Sequence, residues 1–173
     1  HDPVKGIDLA IRVVAELGEG YRLVVVGDGA ERANLEALVA ELEVEDRVEL
    51  RGWDDRARHV LGTFDVYLLP SRLEGFPITV MEAMQAGVPV VATEVGSIRE
   101  AVEDGETGFV VPVEDVDAMA AAVRRLAEDP GLRDRMGERS QEVGLEKFDA
   151  AAAVAAWEDV FDQILDGTLP ARR

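Results

Sequence analysis

Short apolar runs alternate with segments of helical spacing along most of this chain, and the alternation restricts its fold more than any other feature. The apolar runs are rich in β-branched residues and predict buried strands at residues 21–26, 47–51, 64–69, 88–92 and 109–111. The segments around them predict helices at residues 7–17, 30–42, 55–61, 78–86 and 98–102. This order predicts an α/β fold, with a Rossmann-like parallel sheet and flanking helices.

The last third of the chain has helical patterns only. They predict helices at residues 116–126, 132–143 and 150–165, with breaks around Pro130 and Phe148. We expect residues 3–146 to form one domain, and residues 147–173 to form a C-terminal helix and tail that packs on this domain or on another. A doubly wound sheet normally begins with a strand, whereas the first predicted element here is a helix. We therefore expect the sheet to lack its first strand.

The composition indicates an acidic protein with a single core. At 173 residues and 47% hydrophobic content, the chain suits one domain. Its formal net charge of −18 would repel a phosphate backbone, which argues against nucleic acid as a partner. The chain has no cysteine and His1 stands at a free end. Asp55 precedes His59 by one helical turn, but no third ligand follows at a recognisable spacing, so we expect no metal site. No apolar run reaches the ~18 residues that span a membrane. We expect a soluble, cytoplasmic protein without membrane association.

The most informative segment is the loop that follows the third predicted strand. It carries Glu74 and Glu82, separated by seven residues, across a strand-to-helix connection. Ligands of parallel sheets bind at the carboxyl ends of the strands, and a helix N-terminus offers free N–H groups to an anion such as a diphosphate. Glu74 could then accept hydrogen bonds from sugar hydroxyls, and Glu82 could hold a ribose diol. The alternative is that Glu74 caps the helix and Glu82 is a solvated surface acid.

The residues of this loop resemble the E-x7-E signature of family 4 glycosyltransferases, in PS at 70–71, EGFP at 74–77 and EAMQAG at 82–87. Further segments similar to that family are KG at 5–6, GDG at 27–29, VELRG at 48–52, GSIRE at 96–100 and DGETGF at 104–109. The resemblance extends from Pro3 to Val123. It implies the C-terminal half of a GT-B fold, in which residues 3–146 bind the donor of a retaining sugar transfer. The donor is a nucleotide-diphosphate sugar of UDP, GDP or ADP type, and no cofactor or metal is required.

The resemblance also implies roles for particular residues. Lys5 holds the diphosphate of the donor as a cation, and Glu74 binds the hydroxyls of the transferred sugar; these two residues are the expected catalytic groups. Glu82 binds the ribose, and the backbone amides of Ile78 and Thr79 bind the distal phosphate. The charge that builds on the leaving diphosphate is thus stabilised by Lys5 and by the end of the helix.

Other expected donor contacts flank these groups. Gly27 forms the glycine turn at the end of a strand, and Arg51-Gly52-Trp53 borders the nucleobase, although Trp53 is equally well explained as a plain core or surface aromatic. Gly75 and Phe76 complete the loop. Pro77 departs from the family, which has glycine at that position. Glycine offers a backbone N–H to the donor there, whereas proline has no N–H to donate.

The front of the chain departs further from the family. The family places a strand and a Gly-Arg-Leu segment just before the point where this sequence starts, and that arginine shares the diphosphate with Lys5. The acceptor-binding N-terminal domain is also missing, and the start at histidine indicates a fragment or a processed chain. We expect the isolated chain to be inactive until an N-terminal domain or a second chain completes it.

Other functions remain open from the sequence. Gly27-Asp28-Gly29 follows a strand, as in a dinucleotide-dependent oxidoreductase, but Arg32 stands at the third glycine of that fingerprint. A sugar-nucleotide epimerase has a similar architecture, although the pair Glu74 and Glu82 favours transfer. A non-catalytic module that associates with a second chain, through an exposed edge of the sheet, is the third alternative.

Overall fold

A computed structural model of the chain describes residues 2–166 and 168, and within them helices and strands alternate up to the fifth strand. The helices are α1 (Ile7–Leu17), α2 (Arg32–Glu41), α3 (Ala57–Val60), α4 (Ile78–Gln85), α5 (Ile98–Ala101), α6 (Val116–Glu128), α7 (Pro130–Lys147) and α8 (Ala150–Leu165). The strands are β1 (Leu23–Val26), β2 (Val48–Gly52), β3 (Tyr67–Leu69), β4 (Val90–Thr93) and β5 (Gly108–Val111). Two 3-10 turns, Pro3–Lys5 and Leu61–Thr63, complete the described elements.

All strand pairs are parallel, which confirms the predicted α/β class. β1 pairs with β2, and β4 lies between β3 and β5, so the pairing is divided into two sheets. A cavity of about 240 Å³ is lined by all four residues of β1 together with Tyr67 and Leu68 of β3. Within the described residues no strand lies between β1 and β3. The interruption stands where the sequence predicts a missing first strand.

Three apolar clusters form the core around these sheets. The first joins α4, β4 and α5, and includes Val80, Met84 and Ile98, which are fully buried. The second places α6 and the start of α7 on the other face of β4, and the third joins α1, α2 and β2. Helices therefore cover both faces of the parallel strands, as buried parallel sheets require.

The helix ends follow recognisable signals, and several differ from the sequence prediction by one to four residues. Asp115 caps α6 by accepting from the N–H of Ala118, and Asp129 caps α7 by accepting from Leu132. The prediction of a helix that begins at residue 132 is wrong, because α7 begins at Pro130. Proline fits the first turn of a helix, where its missing N–H would have no partner inside the helix.

The third predicted strand is shorter than expected. The apolar pattern at residues 64–69 predicts a strand of six residues, but β3 contains three, Tyr67–Leu69. Its pairing explains the difference, since β3 bonds to β4 over three residues only, and its other edge faces the cavity shared with β1. A strand is defined by its partners, and the apolar pattern does not reveal how long those partners are.

The last helix differs from the others because its side chains are exposed. Asp149 caps α8 by accepting from Ala151, but Val154, Trp157, Phe161 and Ile164 are all more than half exposed. In the region predicted as a C-terminal helix and tail, residues 167 and 169–173 lie outside the described residues. Among the helices that are described, none combines the length and the apolar character needed to cross a membrane.

Candidate functional site

The candidate site lies at the carboxyl end of β3, in the loop that leads to α4. This loop begins at Pro70 and ends at Pro77, the residue before the first turn of α4. The helix has no side-chain cap, and Glu74 instead accepts hydrogen bonds from two other side chains. The alternative that Glu74 caps the helix is therefore wrong.

Lys5 and Glu74 are in direct contact, although they are 69 residues apart in sequence. The Nζ of Lys5 lies 2.8 Å from Oε1 of Glu74. The buried hydroxyl of Ser71 also donates to Oε1, at 2.8 Å. The side chain of Lys5 is 52% exposed and that of Glu74 is 11% exposed, so the pair opens to solvent on the lysine side. The structure thus brings together the two residues that the resemblance marks as catalytic.

Contacts from two other elements fix the backbone of the loop. A Cβ on Gly96 would lie 2.2 Å from the carbonyl oxygen of Glu74 and 2.5 Å from that of Gly75, distances that only glycine permits. The N–H of Ser97 donates to the carbonyl of Gly75 at 3.1 Å. Phe76 packs edge-on against Phe148, with ring centroids 5.7 Å apart. The loop is therefore held from the start of α5 and from the end of α7.

Arg72 connects this loop to the N-terminal turn, and sequence reasoning missed it. Its guanidinium donates to both carboxylate oxygens of Asp8 at 2.8 Å, to the carbonyl of Pro3 at 2.7 Å and to Glu114. The hydrogen bond from Arg72 lowers the pKa of Asp8, and these acids raise the pKa of Arg72. Most basic residues of this chain are arginines, so the sequence gives no signal that distinguishes this one.

Glu82 and Thr79 of α4 line the same cavity as Tyr67. Burial raises the pKa of Tyr67, and the nearby carboxylates of Glu74 and Glu82 raise it further. Ile78 and Thr79 occupy the first turn of α4, so their N–H groups have no carbonyl one turn earlier within the helix. The first turn of α4 therefore offers hydrogen-bond donors at the end of the loop that carries Glu74 and on the helix that carries Glu82.

The segment predicted to border a nucleobase is less constrained. Gly27 donates to the carbonyl of Gly52 at 2.7 Å, which ties the end of β1 to the end of β2. Arg51 pairs with its neighbour Glu49, and the indole N–H of Trp53 donates to Asp55 at 2.7 Å. Trp53 is 79% exposed, which excludes its alternative interpretation as a core aromatic.

Known proteins are similar to this chain both in sequence and in fold. The family described as glycosyl transferases group 1 matches residues 1–143. N-acetyl-alpha-D-glucosaminyl L-malate synthase from Bacillus anthracis is 36% identical over 144 residues, which are 83% of this chain and 38% of that protein. This chain therefore spans well under half the length of that relative.

Two solved structures superpose closely on most of the chain. Sucrose-phosphate synthase from Thermosynechococcus elongatus aligns with a TM-score of 0.89 at 31% identity, over 96% of this chain and 44% of that one. HepE from Anabaena in complex with UDP aligns with a TM-score of 0.90 at 24% identity, over 94% of this chain and 46% of that one. With its sequence and its fold both matched, this chain belongs to the glycosyl transferases group 1 family and has the fold of the C-terminal half of a GT-B glycosyltransferase.

Proposed function

We propose that this chain is the donor-binding half of a retaining glycosyltransferase. It binds a nucleotide-diphosphate sugar, and together with an acceptor-binding domain it transfers the sugar with retention of configuration. The observation that carries the proposal is the contact between Lys5 Nζ and Glu74 Oε1 at 2.8 Å. It sets a cation suited to a diphosphate beside a carboxylate suited to sugar hydroxyls, within a loop that leads into a helix N-terminus.

Lys5 and the start of α4 would act on the leaving group. When the bond to the sugar breaks, negative charge grows on the diphosphate, and fixed donors stabilise that charge more than they stabilise the bound donor. Lys5 supplies a full positive charge, while the N–H groups of Ile78 and Thr79 supply aligned dipoles. Pro77 cannot contribute an N–H, so the phosphate would be held by the two residues that follow it.

Glu74 would orient the transferred sugar. Both of its donors, Lys5 and Ser71, use the same oxygen, Oε1. Among the described residues Oε2 has no hydrogen-bond donor, which leaves it for a sugar hydroxyl. A carboxylate fixed on one oxygen and open on the other can bind a hydroxyl with little loss of side-chain freedom.

The nucleoside would extend from the phosphate site past Glu82. Glu82 is the fifth residue of α4 and lines the cavity beside Tyr67, where its carboxylate suits a ribose diol. We place the base near Arg51-Gly52-Trp53 and the turn at Gly27, because these residues end neighbouring strands at the same edge of the sheet. Gly75 and Phe76 would line the sugar side of the loop.

The proposal requires an acceptor-binding domain as partner, on the same polypeptide or on a second one. The relative from Bacillus anthracis is more than twice as long as the stretch it shares with this chain. The cavity between β1 and β3 also favours the second candidate function, a module that is completed by another segment inserting a strand there. Turnover by the isolated chain would rule out that second candidate.

The proposal is tested by calorimetric titration with UDP-, GDP- and ADP-sugars. We expect saturable binding of one nucleotide type, weakened about tenfold or more in Lys5→Ala and in Glu82→Ala, as for lost hydrogen bonds to charged groups. Lys147 is a matched control, because it is the other lysine of the chain and also forms an ion pair at 2.8 Å, with Glu103. Lys147→Ala should bind as the wild type does, and equal losses in both lysine variants would contradict the site.

The role of Glu74 needs a separate measurement. If Glu74 holds the sugar, Glu74→Gln should weaken the binding of a sugar nucleotide while leaving the binding of the matching nucleoside diphosphate unchanged. A variant that loses both equally would place Glu74 in the support of Lys5 instead. The same titrations identify the base, since only one donor type is expected to bind tightly.

A further inference from the structure

Arg72 joins the two segments that carry the proposed donor contacts. Its guanidinium donates to the carbonyl of Pro3 at 2.7 Å, and its backbone N–H donates to the carbonyl of Val4 at 2.8 Å. Both carbonyls belong to the 3-10 turn that ends at Lys5, whereas Arg72 itself lies two residues before Glu74. Arg72 therefore belongs to the loop that carries Glu74 and bonds to the turn that carries Lys5.

The guanidinium is held in one orientation by acids on two further elements. Asp8, in the first turn of α1, accepts from both terminal nitrogens at 2.8 Å, and Glu114 accepts from Nε. A bidentate arginine–carboxylate pair restricts the plane of the guanidinium as well as its position. Arg72 is therefore a fixed support for the carbonyl of Pro3.

The turn that bears Lys5 has few other supports. It contains three residues, none of them buried, and its cap is the local bond from the N–H of Val4 to Asp2. Single 3-10 turns are not stable by themselves. Another close contact is at Gly6, directly after the turn, where an added Cβ would lie 2.0 Å from the carbonyl oxygen of Pro70. Because the Lys5 side chain is half exposed, the position of its backbone decides where Nζ can reach.

We propose that Arg72 is a positioning residue for the donor site, which holds the turn Pro3–Lys5 against the loop and so places Lys5 Nζ beside Glu74. The inference rests on the proposed function, in which Lys5 binds the diphosphate. Arg72 acts through Lys5 and contacts no part of the donor. Its loss moves the cation away from the phosphates without removing any charge from them directly.

The test is a double-mutant cycle between Arg72 and Lys5. The quantity measured is the ratio of the Kd for UMP to the Kd for UDP, with GMP and GDP, and AMP and ADP, titrated in parallel. This ratio isolates the contribution of the second phosphate. We expect Arg72→Gln to lower the ratio about tenfold, as a misplaced charged hydrogen bond does. In the Lys5→Ala background the same substitution should change nothing further, because the two residues act as one unit.

Two other variants separate positioning from general stability. Arg139 is a matched control, since it donates to Glu103 and Glu142 from α7, so Arg139→Gln should leave the ratio unchanged. Asp8→Asn weakens the anchor of Arg72 and should lower the ratio in the same direction, by less. If Arg72→Gln does not fold, Arg72→Lys takes its place in the cycle, because it keeps the charge and loses the bidentate geometry.

Each outcome decides between the proposals. A wild-type chain that binds UDP no better than UMP, with the same result for the other bases, overturns the role of Lys5 and the role of Arg72 with it. A wild-type chain that discriminates, while the folded Arg72 variant discriminates equally well, overturns the positioning role alone. An Arg72 substitution that lowers the ratio equally with and without Lys5 also overturns it, because Arg72 would then act by another route.

Discussion

The two ends of the candidate site differ in how firmly the chain holds them. At the proposed phosphate and sugar end, Lys5, Ser71 and Glu74 meet at one carboxylate oxygen, and Arg72 and Gly96 fix the backbone on either side. At the proposed base end, and within the part of the chain that the structure describes, the side chains of Arg51 and Trp53 bond only to acids two residues away. We infer that the phosphate end is pre-formed and that the base end acquires its shape when a nucleotide binds.

The largest effect is expected from a side chain added at the pre-formed end. Gly6 has φ +63°, and its Cβ would lie 2.0 Å from the carbonyl oxygen of Pro70. Gly6→Ala should therefore lower the free energy of unfolding by ~3 kcal/mol or more and abolish nucleotide binding, because the turn that bears Lys5 must move. Chemical denaturation and calorimetry measure the two effects.

Gly105 provides the matched control for this substitution. It also has a positive φ, +84°, but no atom lies within 4 Å of its added Cβ. Gly105→Ala should cost only the ~1–2 kcal/mol of the left-handed backbone conformation. If both alanine variants lose the same stability, the contact between Gly6 and Pro70 contributes nothing, and the contrast between the two ends is weakened.

An intermediate loss of stability is expected when Asp8, the carboxylate that anchors Arg72, is replaced. Arg72 lowers the pKa of Asp8, so this carboxylate stabilises the fold at any pH above its unfolded value of about 3.9, and that stability is lost as the pH falls through the lower folded value. Asp8→Asn should therefore be less stable than the wild type at neutral pH, and the difference should shrink below about pH 4. Urea denaturation across this range measures it, and a difference that stays constant with pH would contradict the pairing.

The smallest effect on stability is expected from a substitution at the proposed base end. Trp53 is 79% exposed, so Trp53→Ala should change the free energy of unfolding by no more than ~0.5 kcal/mol. The same variant should nevertheless lose affinity for the preferred nucleotide, since a base would cover the indole. A large loss of stability would show that the base end is also structural, and unchanged affinity would move the base elsewhere.

The sequence predicted most of the architecture because the pattern that carries it is local. The order of strands and helices follows from apolar periodicity, and the bounds of α1 and α8 agree with the prediction to the residue. The resemblance singled out Lys5 and Glu74, which the structure brings into contact. Strand lengths were less predictable, since β3 begins only at Tyr67, where its pairing with β4 begins.

The supports of the site could not be predicted from the residues alone. Arg72 bonds to Asp8 across 64 positions and to Pro3 across 69, and such distant pairs leave no periodic signal in one sequence. Ser71 was visible only as part of a motif, and its bond to Glu74 depends on the path of the loop. Residues that position others are therefore found from the packing, whereas Lys5 and Glu74 could be found from the motifs that resemble the family.

The exposed apolar face of α8 affects how copies of the chain associate in solution. Trp157, Phe161 and Leu165 present apolar surface to water, while a net charge of −18 keeps separate copies apart. Added salt shortens the range of that repulsion, from ~10 Å at 0.1 M to ~3 Å at 1 M, and leaves the apolar attraction in place. Dilute chains at low ionic strength should therefore remain dispersed, and light scattering should rise as salt is added.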